Sequence, residues 1–292
     1  MFIDAHAHAV RKPYYRGKNN APFPTAEQLD NYYAKAGIEK ACLLPLIGPE
    51  FFLPQSNEDI LDMAEKFERF VPFCNIHPFA VDHSADADLA DLMKHYRDLG
   101  CRGIGEVICL LPFDNPFVYN FFKCAQDARL PVTVHIAHRH DRVYGLYDTP
   151  GLPGLEETLS RFEDLIIVGH SQTFWAEIAE LDTVNDRSGY PAYPVREEGA
   201  VPRIMRKHPN LYADLSAGSG FNALNRDHNY AVKFLNEFQD RLMFGLDICA
   251  DPATANISGL KKLLEDFRGE KKISAEVFEK IASGNASRLY NI

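Results

Sequence analysis

Met1-Phe2-Ile3-Asp4-Ala5-His6-Ala7-His8 opens the chain. Apolar residues lead straight into a His-x-His pair. Side chains of an extended strand alternate between faces with a period of two, so His6 and His8 project from the same side. That spacing suits two imidazoles gripping one metal ion, with the small Ala5 and Ala7 keeping the opposite face compact. The pair alone is a weak motif: the chain has 11 His, and His138-x-His140 is a second instance. It gains force only if further ligands fall where one architecture would put them.

Outward from that strand, short β-rich runs alternate with helical stretches. The runs are Phe2–His8, Ala41–Leu46, Val71–Ile76, Gly103–Val107, Val132–His135, Leu165–His170, Leu211–Leu215 and Leu242–Asp247. They recur at roughly 30–45 residues, the size of a βα repeat. Several are almost wholly apolar, as strands buried on both faces of a parallel sheet should be. Thr25, with Glu27 and Gln28 close behind, and Ser56-Asn57-Glu58-Asp59 open helices with capping-box spacing. Ala85–Leu99 runs to Gly100 as a C-terminal stop, and Asn115-Pro116 starts another helix. Pro153–Phe162, Phe174–Glu180, Val201–Lys207 and Ala231–Asp240 continue the alternation, followed by Ile257–Phe267, Ser274–Ala282 and Gly284-Asn285-Ala286. Eight units with no linker between them predict one α/β domain over 1–292, a somewhat distorted (β/α)8 barrel with an extra C-terminal helix. The alternative is an open doubly wound sheet, which the even pacing and the lack of a glycine-rich phosphate loop disfavour. Two connections are long. Arg11–Pro24 follows a strand and should lie over the barrel mouth. Asp182–Ala200 follows a helix and lies either on the far side or as a lead into the next strand.

Composition bounds the function. The chain of 292 residues is 46% hydrophobic and 25% charged, ordinary for a globular protein. Net charge is -10 with no Lys/Arg cluster, which argues against nucleic acid and anionic membrane surfaces. No apolar run approaches membrane-spanning length and no secretory leader is visible. The six Cys are scattered without Cys-x-x-Cys, so a reduced, cytoplasmic protein is expected, with a homodimer as the prior for its assembly.

In such a barrel the chemistry sits at the C-terminal ends of the strands. Those ends read His6 and His8, His77, Glu106, His135, His170, Asp214 and Asp247. Packing alone does not finish apolar strands in imidazoles and carboxylates. The pattern resembles the amidohydrolase superfamily of metal-dependent barrels, through Asp-Ala-His6-Ala-His8, Val-His135, Gly-His170-Ser and Phe-Gly-Leu-Asp247. The ending Gly284-Asn285-Ala286-Ser287-Arg288-Leu289 resembles the closing helix of its amidohydrolase-2 branch, which includes relatives of aminocarboxymuconate-semialdehyde decarboxylase.

The resemblance implies that His6, His8, His135 and Asp247 hold a divalent metal, with Asp247 also moving the proton of an activated water. His170 either polarises a substrate carbonyl, ligates a second ion, or is a core imidazole bonded to backbone. Glu106 either bridges two metals, as in related TatD-like barrels, or accepts a hydrogen bond from a ligating imidazole. Zinc is the expected metal, as one or two ions; manganese, iron or nickel would suit the same donors. His77 faces substrate or bridges loops. His138 and Arg139 contact a small-molecule substrate or belong to a solvated charged loop. Trp175 walls the pocket or packs in the core. Asp214 orients His170 or another ligand, or caps a turn. Arg11, Tyr14, Tyr15 and Arg16 could close over a ligand. The expected function is a metal-dependent hydrolase acting on a small polar substrate through metal-activated water. The alternatives are a metal-dependent non-oxidative decarboxylase or hydratase of a small carboxylate, and a non-catalytic binding barrel.

Overall fold

A computed structural model describes residues 1–15, 23–53, 55–250 and 259–292. Arg16, and the first two positions of the helix expected over Ile257–Phe267, lie outside the described residues. The expected strands form as β1 (Ile3–Ala7), β2 (Lys40–Leu43), β3 (Phe70–Pro72), β4 (Ile104–Val107), β5 (Val132–Ala137), β7 (Ile167–His170), β8 (Leu211–Asp214) and β9 (Leu242–Met243). A two-residue strand, β6 (Leu146–Tyr147), was not expected; it pairs with β5 on the loop that follows it.

Among the described residues the named strands pair in parallel, in the orders β1-β2-β3 and β4-β5-β7-β8-β9. Two seams join these sheets. At the first, Cys74, just beyond β3, bridges Ile104: its N–H donates to Gly103 O at 3.1 Å, and Gly105 N–H donates to Cys74 O at 2.9 Å. At the second, Ala5 N–H donates to Phe244 O and Asp247 N–H to His6 O, both at 2.9 Å. The strands therefore run round a complete cylinder, the (β/α)8 barrel.

Helices cross between consecutive strands, as parallel pairing requires. Thr25 and Ser56 cap α1 (Ala26–Ala36) and α2 (Asn57–Lys66) with full capping boxes, as their spacing predicts. The third helix, α3 (Leu89–Asp98), starts later than Ala85 because Asp88 is its cap, accepting from Asp91 N–H. There follow α4 (Pro116–Ala128), α5 (Pro153–Arg161), α6 (Gln172–Ala176), α7 (Ala200–Lys207), α8 (Ala217–Asn225), α9 (His228–Glu237), α10 (Gly259–Gly269), α11 (Ala275–Glu279) and α12 (Asn285–Tyr290). Sequence reading missed α8, whose first turns carry Gly218 and Gly220, residues of poor helix propensity. Asp182–Ala200 does not lie on the far side. The Gln172 side-chain amide donates to the Tyr190 hydroxyl at 3.2 Å, and that of Asn222 to Pro191 O at 3.1 Å. Gln172 follows β7 and Asn222 follows β8, so the loop reaches the C-terminal rim.

The expected C-terminal helix closes the other end. Tyr290 and Ala286 join Ile3, Ala5, Cys42, Val71, Phe73, Val168 and Met243 in one buried apolar cluster, the barrel's floor. The Tyr290 ring meets Phe73 edge-on at 5.0 Å, and the Asn285 amide donates to Leu242 O at 2.7 Å. With the floor apolar, the ionisable strand-end residues gather at the opposite end. There, Asp4 locks the second seam. Its buried carboxyl accepts from His6 N–H and Leu246 N–H, both at 2.9 Å, and from the buried Tyr33 hydroxyl. Burial pushes Asp4 up to about 7, against the pull of those three hydrogen bonds.

Removing the carboxyl strands three buried donors, each at about 1–3 kcal/mol. Asp4→Ala should therefore destabilise the fold by roughly 3–5 kcal/mol in urea unfolding. Asp4→Asn, which keeps an acceptor for the backbone and offers Tyr33 a donor, should cost less than half of that. Equal stability of Asp4→Ala and the parent protein would remove the seam's role.

Candidate metal centre

His6, His8 and His170 are each fixed through Nδ1 and aim Nε2 inward. Nδ1 of His6 faces Asp214 Oδ2 at 3.0 Å, and Nδ1 of His170 faces Asp214 Oδ1 at 3.0 Å. Nδ1 of His8 faces Leu44 O at 2.8 Å. A carboxylate or carbonyl opposite Nδ1 requires the proton to sit there, so the neutral ring presents a bare lone pair at Nε2. The Nε2 atoms of His6 and His8 meet at 3.1 Å, which in the neutral rings sets lone pair against lone pair. Carboxylate oxygens crowd the same point. Glu106 Oε2 stands 3.3 Å from His8 Nε2 and 3.5 Å from His6 Nε2, and Asp247 Oδ1 stands 3.3 Å from His8 Nε2. Such a convergence of donors needs a positive charge within it.

Glu106 extends the cluster. Its other oxygen, Oε1, lies 2.6 Å from His135 Nδ1 and 3.7 Å from His170 Nε2. His135 therefore turns Nδ1, rather than Nε2, to the centre. Asp247 Oδ2 is 3.8 Å from His170 Nε2. The donor atoms form overlapping groups, each within 4.8 Å: His6, His8 and Glu106; His6, His170 and Asp247; Glu106, His135 and His170. Glu106 belongs to two of them. Imidazole nitrogens and carboxylate oxygens at this spacing fit a divalent ion of the zinc or manganese kind.

The electrostatics agree with the geometry. Burial alone would lower His6 and His8, yet Asp214 and Glu106 hold His6 well above its ordinary value, and Asp247 and Glu106 push His8 up to about 9. Burial would raise the carboxylates, yet His135 holds Glu106 down, His170 and His6 hold Asp214 down, and His8 and His6 hold Asp247 down. Protons thus supply the missing positive charge when no metal does.

Local backbone serves these side chains. Gly105, with φ of +142°, sets up Glu106; a Cβ there would lie 2.8 Å from Thr133 O. Asp247 adopts a left-handed φ of 50°, which Asp tolerates better than most residues. Ser171, directly after His170, has a φ of 119°, strain of about 1–3 kcal/mol. Its hydroxyl donates to Ile136 O at 2.8 Å and accepts from Phe174 N–H at 3.2 Å, which holds the turn.

The structure thus brings together His6, His8, Glu106, His135, His170 and Asp247, and sets Asp214 against Nδ1 of two of the imidazoles while it also caps the following turn, accepting from Ser216 N–H at 3.1 Å. Other expectations need correction. Trp175 does not wall the pocket: it is fully buried against Phe174 and Phe234, and its Nε1–H donates to Asp214 O at 2.9 Å. It braces the residue that braces the ligands. His77 bridges loops, with Nε2 3.4 Å from Glu50 Oε1 and Nδ1 accepting from Phe79 N–H at 3.2 Å. Arg139 gives its Nε–H to Asp141 O at 2.8 Å on its own loop, not to the centre. His138 is half-buried on that loop, and burial, with Arg139 and Arg187 nearby, lowers its pKa. Tyr144, on the same loop after β5, places its ring 4.6 Å from His135, whereas Tyr190 on the rim was missed, because a loop tyrosine carries no pattern in sequence. Ser216, which donates to Asp214 and lies 3.1 Å from His170 Nδ1, was missed for the same reason.

Among the described residues, no helix is long and apolar enough to cross a membrane. No curated protein matches the chain in sequence. Among solved structures, the fold is similar to that of a zinc-bound amidohydrolase from Burkholderia multivorans, at 17% identity and a TM-score of 0.64, covering 100% of this chain and 99% of that one. It is similar to a 5-carboxyvanillate decarboxylase from Novosphingobium aromaticivorans complexed with manganese, at 14% identity and a TM-score of 0.63, covering 100% and 96%. It is also similar to a probable 2-pyrone-4,6-dicarboxylic acid hydrolase from Acinetobacter baumannii, at 12% identity and a TM-score of 0.60, covering 100% and 99%. These likenesses bear on the fold. In sequence, the Amidohydro_2 (Amidohydrolase) family model matches residues 3–292, nearly the whole chain. With that match and a rim built of imidazoles and carboxylates, the chain belongs to the amidohydrolase family and is an enzyme of its metal-dependent type.

Proposed function

We propose that this enzyme is a hydrolase of a small polar molecule that takes two divalent ions, zinc by preference, which the donor groups around Glu106 would hold. The observation that carries the proposal is the meeting of the His6 and His8 lone pairs at 3.1 Å between Glu106 and Asp247. His6, His8, Glu106 and Asp247 would hold a divalent ion there, which when bound would supply Lewis acidity enough to bring the pKa of water towards about 7.

The chain's own residues divide the remaining work. Asp247 is the most exposed carboxylate of the centre, its side chain 15% accessible against 5% for Glu106 and none for Asp214. It is the carboxylate of the centre best placed to collect a proton from water and deliver it to a leaving group. His170, tied to Asp214, directs Nε2 between Glu106 and Asp247, which supports a ligand role over that of a free carbonyl polariser. Asp214 and Leu44 O fix ring orientation, as outer partners of metal-ligating imidazoles do. His138, kept neutral, is the loop residue best suited to hydrogen-bond a polar substrate. The decarboxylase or hydratase alternative uses the same centre and requires a carboxylate on the substrate. Similar folds are those of a 5-carboxyvanillate decarboxylase and of a probable 2-pyrone-4,6-dicarboxylic acid hydrolase, so the products must decide.

Metal analysis of purified protein should give two ions per chain. His6→Ala and His135→Ala should each lose metal with little loss of fold, and Glu106→Gln should fall towards one ion. Full metal content in either histidine variant would sink the ligand assignment. Asp247→Asn should stay folded while kcat drops by about 10²–10⁴-fold, the range of a lost proton carrier. Activity should be sought on esters, lactones and aromatic carboxylates in ¹⁸O-labelled water. Cleavage of the substrate with label in one of the fragments supports hydrolysis, label added without cleavage establishes a hydratase, and released carbon dioxide with no label in the organic product establishes a decarboxylase.

A further inference from the structure

Cys249 is unlike the other five cysteines. Those are buried, whereas Cys249 is partly exposed, two residues beyond Asp247. Its Sγ lies 2.9 Å from Asp247 Oδ1, the oxygen that also stands 3.3 Å from His8 Nε2. Ligand atoms of His8, Asp247 and Cys249 lie within 4.8 Å of one another, a fourth donor group on the β1 side of the centre. His8 Nε2 is an inward-facing lone pair, fixed by the hydrogen bond of its other nitrogen to Leu44 O. The flank is apolar: Cys249 packs against Val10, Phe23, Leu46 and Ile108.

We propose that Cys249 adds a sulfur ligand to the metal centre, joining His8 and Asp247 around one ion and biasing that position towards thiophilic metals. The inference rests on the metal-centre reading and goes beyond it. A thiol binds a metal only as thiolate, so its proton passes to solvent as the sulfur–metal bond forms, with no change of oxidation state. Thiolate favours zinc strongly over manganese, whereas a centre of imidazoles and carboxylates alone discriminates less. Cys249 would thus set which divalent ion this chain retains.

Cobalt(II) reports the ligand directly. Metal-free protein loaded with cobalt should show a near-ultraviolet sulfur-to-cobalt charge-transfer band. Cys249→Ser and Cys249→Ala should lose that band while keeping bound cobalt and its visible ligand-field absorption. Zinc-over-manganese preference in competition should fall by about tenfold or more in both variants. Cobalt bound without the band in the parent protein, or a band that survives both substitutions, overturns the proposal and leaves the nitrogen–oxygen centre standing. Failure of the parent protein to bind cobalt, zinc or manganese overturns both.

Discussion

Two imidazole lone pairs held 3.1 Å apart, with carboxylates on either side, are the arrangement on which the rest of this structure depends. Left to themselves these groups repel one another. They stay together because each is anchored from behind: His6 and His170 by the two oxygens of Asp214, His8 by a backbone carbonyl. The anchors settle tautomers as well as positions, so each ring offers its bare nitrogen to the same small volume. A cation then converts the repulsion into binding. Without one, protons take its place, which is why the imidazoles hold theirs so firmly and the carboxylates release theirs so readily.

The barrel makes such convergence possible. The clustered imidazoles and carboxylates come from the ends of β1, β4, β5 and β7 and from the turn after β9, far apart in the chain and adjacent only once the cylinder closes. The closing seam lies against the centre. Asp247 N–H donates to His6 O across it, and Asp4 ties His6 N–H to Leu246 N–H within it. Closure and ligand placement are therefore one event: the seam that completes the sheet sets Asp247 opposite His8. At the other end Tyr290 and its apolar neighbours fill the floor, so charge is concentrated at one rim.

Much of this was legible in the chain itself. Strand periodicity, caps at Thr25 and Ser56, and polar residues ending apolar runs all depend on local sequence, and local sequence reports them well. All six expected ligands fall in one cluster for that reason. What escaped depends on contacts between distant segments. Trp175 reads equally well as pocket wall or core, and only its bond to Asp214 O decides. His77 and Arg139 carry suitable chemistry, but Glu50, the Phe79 amide and Asp141 occupy them. Tyr33 and Leu44 O act on residues 29 and 36 positions away. Helix α8 was hidden by two glycines whose propensity its packing overrides.

The most direct test of the central claim is anomalous scattering from a crystal of zinc-loaded protein, collected across the zinc absorption edge. A peak about 2.0–2.1 Å from Nε2 of both His6 and His8 would place the ion where the lone pairs meet. A protein that takes up zinc yet shows no peak between those rings, or whose imidazoles point apart in the crystal, would contradict it.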